Sequence, residues 1–181
     1  MERARMTFDG DLEIDKWATR FYEHYARDSR LEKEFLFTRG LVIAARRWTS
    51  YVDVLIKQRT GISRAQWQTL SALTFRDKPV TVGDLSRNMH VRWPTAIRVL
   101  KELEALELIS SEPDPNDARA RLITITKEGE RIMEEVREVL DPTREKILGT
   151  LSDEQLVAGT RMLEALMAEI SGALEPPEAE D

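Results

Sequence analysis

Apolar residues recur at steps of three and four positions over most of the chain, and this spacing predicts a mainly helical protein. The longest run spans residues 31–58, and its apolar positions are Leu31, Phe35, Leu41, Val42, Ala45, Trp48, Val52 and Leu55. Shorter runs predict four further helices, over residues 11–27, 94–107, 127–149 and 152–171. We expect Pro142 to kink or interrupt the helix that contains it, because proline removes a backbone donor.

Three helix starts carry a capping box, in which a side chain accepts hydrogen bonds from amides that have no partner inside the helix. The pattern occurs at Ser63–Gln66, Thr81–Asp84 and Ser152–Gln155, each flanked by apolar residues placed for a hydrophobic staple. The 94–107 helix is predicted to direct four residues inward: Ile97, Leu100, Leu103 and Leu106.

Strand character follows that helix directly. Residues 121–126 alternate between two sets of side chains, the period of a strand, and residues 109–113 precede them. Asp114–Ala118 has the composition of a turn, with Asp, Pro and Asn side by side. The segment therefore predicts helix, tight turn, helix and a two-stranded hairpin with a charged tip.

Composition narrows the possible functions. With 41% hydrophobic and 33% charged residues, the chain can bury a sizeable core. It has no cysteine, which excludes disulfides, zinc–thiolate sites and cysteine nucleophiles. It has no run of 18 apolar residues and no apolar segment near its start, so we expect no membrane span, no secretory signal and a cytoplasmic location.

Catalytic chemistry is not expected. The chain has no nucleophile-elbow glycines, no glycine-rich phosphate loop and no His–Glu–x–x–His pattern. Its two histidines, His24 and His90, are sixty-six residues apart, so a metal site built on them is improbable. We expect neither a metal nor another cofactor.

Positive charge is concentrated in one stretch. Residues 86–101 contain four basic residues and no acidic one, although the whole chain carries a net charge of −6. A basic helix start suits an anion, and a helix fits the major groove of duplex DNA. The sequence pI near 5.2 argues against nonspecific nucleic-acid binding. The acidic pI and the three glutamates late in this helix, Glu102, Glu104 and Glu107, favour an alternative function. In that alternative the protein is a protein-interaction module that does not bind DNA.

Three motifs resemble those of the MarR family of bacterial transcriptional regulators, and they follow one another along the chain in the family's order and spacing. Asp114–Arg119 followed by Leu122–Gly129 is similar to the family's wing motif, with Ile125 in the place of a leucine. Thr95–Glu104 resembles its recognition helix, and Ile62–Trp67 resembles the start of its second helix. The resemblance covers residues 31–170.

The resemblance implies a mainly α fold with a small β-hairpin wing, in which a winged helix-turn-helix is flanked by dimerisation helices. Residues 61–126 would form the DNA-binding lobe, 31–60 and 127–172 the dimerisation helices, 1–30 an extension with a short helix, and 173–181 a disordered acidic tail. The family implies a homodimer that represses at a pseudo-palindromic operator. It also implies release by a small aromatic or phenolic acid bound between the dimerisation helices and the lobe.

The recognition helix supplies most DNA-contact candidates. Arg92, Thr95 and Arg98 are candidates for base edges or phosphates, since arginine can hold guanine O6 and N7 and threonine can meet the thymine methyl. Lys101 is a phosphate candidate. Trp93 either packs on the DNA backbone or belongs to the protein core.

The predicted wing supplies three further candidates. The resemblance places Arg119 at the wing tip, where an arginine can enter a narrow minor groove. Asp117 could orient it through an ion pair, and the alternative is a simple surface salt bridge. Arg121, on the second strand, is a weaker candidate.

The chain departs from the family pattern in three ways, of which one is the absence of cysteine, which excludes the oxidation-sensing branch of the family. Family recognition helices open with a small hydroxyl residue, whereas this chain has Arg92, Trp93 and Pro94 there. We expect the helix to begin at Pro94 and Trp93 to lie outside it, since proline disfavours helical geometry in the residue before it. The wing has Ala118 where the family often has arginine.

Effector candidates lie mainly on the long helix. An aromatic acid needs apolar walls and one or two cationic groups. Arg39 and Arg46 are seven residues apart and share a helix face, and Trp48, Tyr51 and Trp67 could form walls. The alternative is that both tryptophans belong to the core and the arginines are solvated or cross a dimer interface.

Overall fold

The computed structural model describes residues 20–89, 91–117 and 120–174. Its helices are α1 Phe21–His24, α2 Arg30–Thr60, α3 Arg64–Thr74, α4 Val82–Asn88, α5 Trp93–Ala105, α6 Lys127–Leu148 and α7 Asp153–Leu174. Its strands are β1 Val80–Thr81, β2 Ile109–Pro113 and β3 Arg121–Ile125. The fold is mainly α with a small antiparallel sheet, as the sequence predicts.

The sheet has three strands, in the order β1-β3-β2. β2 and β3 form the predicted hairpin, with Ile109 opposite Ile125, and β1 adds an edge strand, with Val80 opposite Ile123. The predicted hairpin is confirmed, and β1 is a third strand that the sequence did not predict, because its two residues are too few to show a periodic pattern. β1 ties the start of α4 to the hairpin.

The predicted capping boxes are present. The Ser63 amide donates to Gln66 Oε1 at 2.7 Å, and the Gln66 amide donates to Ser63 Oγ. Thr81 with Asp84, and Ser152 with Gln155, make the same reciprocal pairs. Hydrogen bonds from the hydroxyl and the amide of Thr81 lower the pKa of Asp84 below its usual value. The Arg87 guanidinium lowers it further, by a smaller amount, through a hydrogen bond and its positive charge.

The core lies between α3, α5, the second half of α2 and α6. Its most buried side chains come from all four helices: Val52, Ile56, Leu70, Leu103 and Val136. By contrast, the first half of α2 is largely exposed, and α7 is exposed along nearly its whole length. No helix in the described ranges is both long enough and apolar enough to cross a membrane.

Helix α6 runs continuously through Pro142, so of the two predicted effects, a kink or an interruption, the interruption does not occur. Proline deprives the helix of one internal hydrogen bond. Leu140 and Thr143 are buried on either side of it, which holds both parts of the helix against the core. The Thr143 hydroxyl also donates to the Val139 carbonyl at 2.7 Å.

The chain termini are described only in part. Residues 11–19 of the predicted first helix lie outside the described residues, and α1 is a single turn within the remainder. The Phe21 ring stacks on Tyr25 and packs against Phe35 of α2. Of the predicted tail, 175–181 lies outside the described residues.

Helix α5 ends in a tight reversal that starts β2. Glu107 has a left-handed φ of 58°, and the Leu108 amide donates back to the Leu103 carbonyl at 2.9 Å. This is the Schellman arrangement, in which glycine usually occupies the left-handed position. Leu106 is 50% exposed here, so its predicted inward position is wrong, because the helix stops at Ala105.

The reversal docks on the start of α6. The Thr126 amide donates to the Leu108 carbonyl at 3.1 Å, and the Thr126 hydroxyl donates to the Glu107 carbonyl at 2.7 Å. The Gly129 amide donates to the same hydroxyl oxygen at 3.0 Å. A Cβ on Gly129 would lie only 2.2 Å from the Leu108 carbonyl oxygen, so this close approach requires glycine.

We expect Gly129→Ala to destabilise the protein by about 2–3 kcal/mol, because the added methyl group must push two backbone segments apart. The midpoint of thermal unfolding should fall by roughly 5–10 °C. Gly159→Ala is the control, since nothing lies within 4 Å of a Cβ at that position. Equal midpoints for the Gly129→Ala variant and the unmodified protein would refute the close approach.

Candidate nucleic-acid interface

The turn between α4 and α5 is held by one serine. The Ser86 hydroxyl donates to the Val91 carbonyl at 2.7 Å, and the Val91 amide donates to the Ser86 carbonyl at 3.1 Å. His90, in the same turn, lies outside the described residues. The two bonds set the direction in which α5 leaves α4.

Helix α5 begins at Trp93 and has Pro94 as its second residue, so the predicted start at Pro94 is wrong. The amides of Thr95 and Ala96 both donate to the Arg92 carbonyl, which encloses Trp93 and Pro94 in the first turn. Amides in the first turn have no partner inside the helix, so proline loses nothing there.

One side of α5 is packed and the other is open. The buried side comprises Ala96, Val99, Leu100 and Leu103. Ile97, predicted to point inward, is only half-buried. The exposed positions include four of the predicted DNA-contact residues: Arg92, Thr95, Arg98 and Lys101. Cationic and hydroxyl side chains thus share the unpacked side of the helix.

Arg98 is held by an ion pair within the helix. Its Nη1 donates to Glu102 Oε1, four residues later. Gln66 Nε2 of α3 donates to the other carboxylate oxygen of Glu102 at 3.2 Å. The Arg98 side chain stays 63% exposed. The sequence alone did not identify Gln66 as a neighbour of Glu102, because they are thirty-six positions apart.

The wing candidates are placed differently from one another. Arg119 lies outside the described residues, and Asp117 is exposed in the turn before it. Arg121 is turned back across the hairpin, where its Nε donates to Ser111 Oγ at 2.6 Å and its Nη2 to the Ser111 carbonyl. The backbone of the wing loop is closed by a bond from the Ala120 amide to the Asp117 carbonyl at 2.9 Å.

A cavity of about 550 Å³, which we call the wing cleft, lies between the start of α4, α5 and the hairpin. Its apolar walls include Val82, Trp93, Ile97, Ile109 and Ile123. Its charged rim comprises Arg87, Lys101, Glu104, Asp117 and Arg121. Sequence reasoning missed the cleft because its walls come from four elements.

Trp93 belongs to the wing cleft and not to the core. It is 50% exposed, and its ring lies over the first turn of α4, at 3.4 Å from where a Cβ on Gly83 would be. Of the two alternatives for this residue, core packing is excluded. Its indole offers a flat apolar surface beside the exposed side of α5.

The effector candidates on α2 and α3 differ in their burial. Trp48 packs on the core, whereas Tyr51 and Arg46 are exposed and Arg39 is half-buried. Trp67 also packs on the core, and its indole N–H donates to Asp53 Oδ1 at 3.1 Å. None of the five residues lines the wing cleft. The core alternative therefore applies to both tryptophans.

Together, α4, the turn, α5 and the three-stranded sheet make a winged helix-turn-helix. Residues 60–120 match the sequence profile of the MarR family. This segment includes the capping box of α3, the helix-turn-helix and the turn of the wing.

Solved structures extend the match over most of the chain. BldR, a transcriptional regulator from Sulfolobus solfataricus, matches with a TM-score of 0.66 at 18% identity, covering 76% of this chain and 98% of BldR. MepR from S. aureus, in complex with DNA, gives 0.63 at 21% identity and covers 78% and 99%. CouR from Rhodococcus jostii RHA1, bound to p-coumaroyl-CoA, gives 0.65 at 18% identity and covers 72% and 90%.

At these identities the structural matches establish a shared fold. The winged helix of this protein is that of the MarR family, and the chain around it has the fold of MarR-family transcription regulators.

Proposed function

We propose that this protein is a transcriptional regulator that binds duplex DNA as a homodimer, with α5 in the major groove and the wing beside it. The observation that carries the proposal is the open side of α5, where Arg92, Thr95, Arg98 and Lys101 are exposed together. The MepR structure, a DNA complex with the same fold, supports it. Repression of a pseudo-palindromic operator is the mode we propose.

The positive charges on α5 can attract DNA phosphates although the net charge of the whole chain is negative. Charges separated by more than a Debye length, about 8 Å at physiological ionic strength, are largely screened. Phosphates that approach the exposed side of α5 therefore respond mainly to the nearby Arg92, Arg98 and Lys101, and not to the net charge of the whole chain. Binding should weaken steeply with salt, because cations return to the phosphates when the protein leaves.

We expect Arg98→Ala and Arg119→Ala each to weaken operator binding by about fivefold or more, the lower range for a lost base contact. Fluorescence anisotropy with the protein's own upstream intergenic DNA, a scrambled duplex and a salt series measures this. Arg144→Ala is the control, because Arg144 is exposed and lies about 25 Å along α6 from its start near the hairpin.

Two outcomes would count against these assignments. Unchanged operator binding by both variants would remove Arg98 and Arg119 from the interface. Absent or salt-insensitive DNA binding by the unmodified protein, together with a stable complex with another protein, would favour the protein-interaction module.

Apolar surface on α7 and on the first half of α2 supports the homodimer. Along α7, Leu156, Leu163, Met167 and Ile170 are exposed at helical spacing. Phe37 and Val42 are exposed on α2. Exposed apolar surface of this extent marks an interface, and a two-fold dimer buries the same patch on both subunits. A dimer would also place two recognition helices about 34–36 Å apart, one turn of DNA.

We expect Leu163→Glu to convert the dimer to monomers, because a charge would be buried in an apolar interface. Sedimentation velocity measures the change, and Glu130→Lys, an exposed charge reversal in the first turn of α6, is the control. A dimer that survives Leu163→Glu would move the interface away from α7.

The wing cleft supports control by a small aromatic or phenolic acid. It combines apolar walls with Lys101 and Arg121 at its rim, the combination that an aromatic carboxylate requires. A ligand there would occupy the side chains that face DNA, so ligand and DNA would compete. CouR, with the same fold, is bound to an aromatic thioester, p-coumaroyl-CoA.

We expect Ile97→Ala to weaken binding of 4-hydroxybenzoate by about fivefold, because it removes most of one apolar wall of the cleft. Isothermal titration calorimetry measures the affinity. Tyr51→Ala is the matched test of the α2 candidates and should leave the affinity unchanged. The reverse pattern would place the ligand beside α2, between the dimerisation helices and the lobe.

A further inference from the structure

The proposed DNA-binding function leaves one acidic residue unexplained. Glu102 lies on α5 beside the proposed base-reading arginine, where a carboxylate would repel phosphate. We propose that Glu102 is a positioning residue for DNA specificity, which fixes the Arg98 guanidinium for contact with a base and is itself fixed by Gln66. This inference rests on the proposed function of α5 as the recognition helix.

Each carboxylate oxygen of Glu102 has its own partner. Oε1 accepts from Arg98 Nη1, and Oε2 accepts from Gln66 Nε2 at 3.2 Å. The Glu102 side chain is 37% exposed, so it lies partly sheltered between α5 and α3. A carboxylate held at both oxygens cannot turn freely, and it therefore gives Arg98 a fixed point.

Gln66 is fixed in turn by the start of α3. Its Oε1 accepts from the Ser63 amide at 2.7 Å, so one end of the amide caps α3 while the other holds Glu102. The same turn of α3 is attached to α2, because Arg64 and Trp67 both donate to the Asp53 carboxylate. A continuous series of polar contacts thus leads from α2 to Arg98.

Helix stability does not account for Glu102. In a pair four residues apart, the order Arg then Glu is the less favourable one. Glu102 also lies in the C-terminal half of α5, where a negative charge opposes the helix dipole. Orientation explains the pair better, since a side chain held before binding loses less conformational freedom when it meets DNA.

The geometry leaves Arg98 able to contact a base. A guanidinium has five N–H donors, and the pair with Glu102 involves only Nη1. The remaining donors suffice for a two-pronged contact with guanine O6 and N7. Without Glu102 the arginine would still attract phosphate, but it would no longer favour one base position.

The experiment is selection of random-sequence DNA duplexes by the full-length protein, followed by sequencing of the bound pool. Four variants are compared with the unmodified protein: Arg98→Ala, Glu102→Ala, Gln66→Glu and Glu104→Ala. Gln66→Glu keeps a residue that can complete the capping box but removes the donor to Glu102. Glu104→Ala removes an equal charge from the same helix, at a residue that faces the wing cleft. Thermal unfolding confirms that each variant is folded.

We expect Arg98→Ala to abolish the preference at one base position of each half-site. Glu102→Ala and Gln66→Glu should weaken the preference at that same position by at least about fivefold, the lower range for a base contact. Glu104→Ala should raise affinity for all duplexes and leave every preference intact.

An unchanged preference at that position in Glu102→Ala would overturn the inference, as would an Arg98→Ala variant that loses no base preference. If the unmodified protein enriches no sequence at all, the proposed function fails as well. If the unmodified protein selects particular DNA sequences and the Glu102→Ala variant keeps the same base preferences, only the positioning role of Glu102 is refuted, and the proposed function stands.

Discussion

The docking of the α5–β2 reversal on the start of α6 is the contact on which the rest of this structure depends. Thr126 bonds to the carbonyls of Glu107 and Leu108, and Gly129 lets the two backbones approach closely. Helix α5, the hairpin and α6 meet at this point. A shift there would move α5 and the wing together with respect to α6, so the junction sets how the winged helix is presented.

Positive charge is exposed on one side of α5, although the net charge of the whole chain is −6. The exposed arginines on that side can attract anions locally. Glu102 fits this arrangement because its charge is matched by Arg98 and its second oxygen by Gln66. The acidic second half of α5 would then limit nonspecific affinity while the paired arginine contributes selectivity.

The wing cleft and the exposed side of α5 share residues, and this overlap is the physical basis on which we propose that a ligand controls DNA binding. Trp93 and Lys101 border both surfaces, so an occupant of the cleft and a DNA groove would contend for the same side chains. The contacts of Asp53 with Arg64 and Trp67, and of Gln66 with Glu102, also connect α2 through α3 to α5. The first set of contacts begins at the wing cleft, and the second begins at α2.

The sequence by itself determined the features that depend on neighbours along the chain. The three capped helix starts, the helix-turn-helix and the hairpin were predicted, because capping boxes, turn residues and periodicity act over a few positions. Four other features were decided only by the tertiary structure. They are the two-residue strand β1, the continuation of α6 through Pro142, the contact of Gln66 with Glu102, and the walls of the wing cleft. Each of these depends on segments distant in sequence that meet only when the core forms.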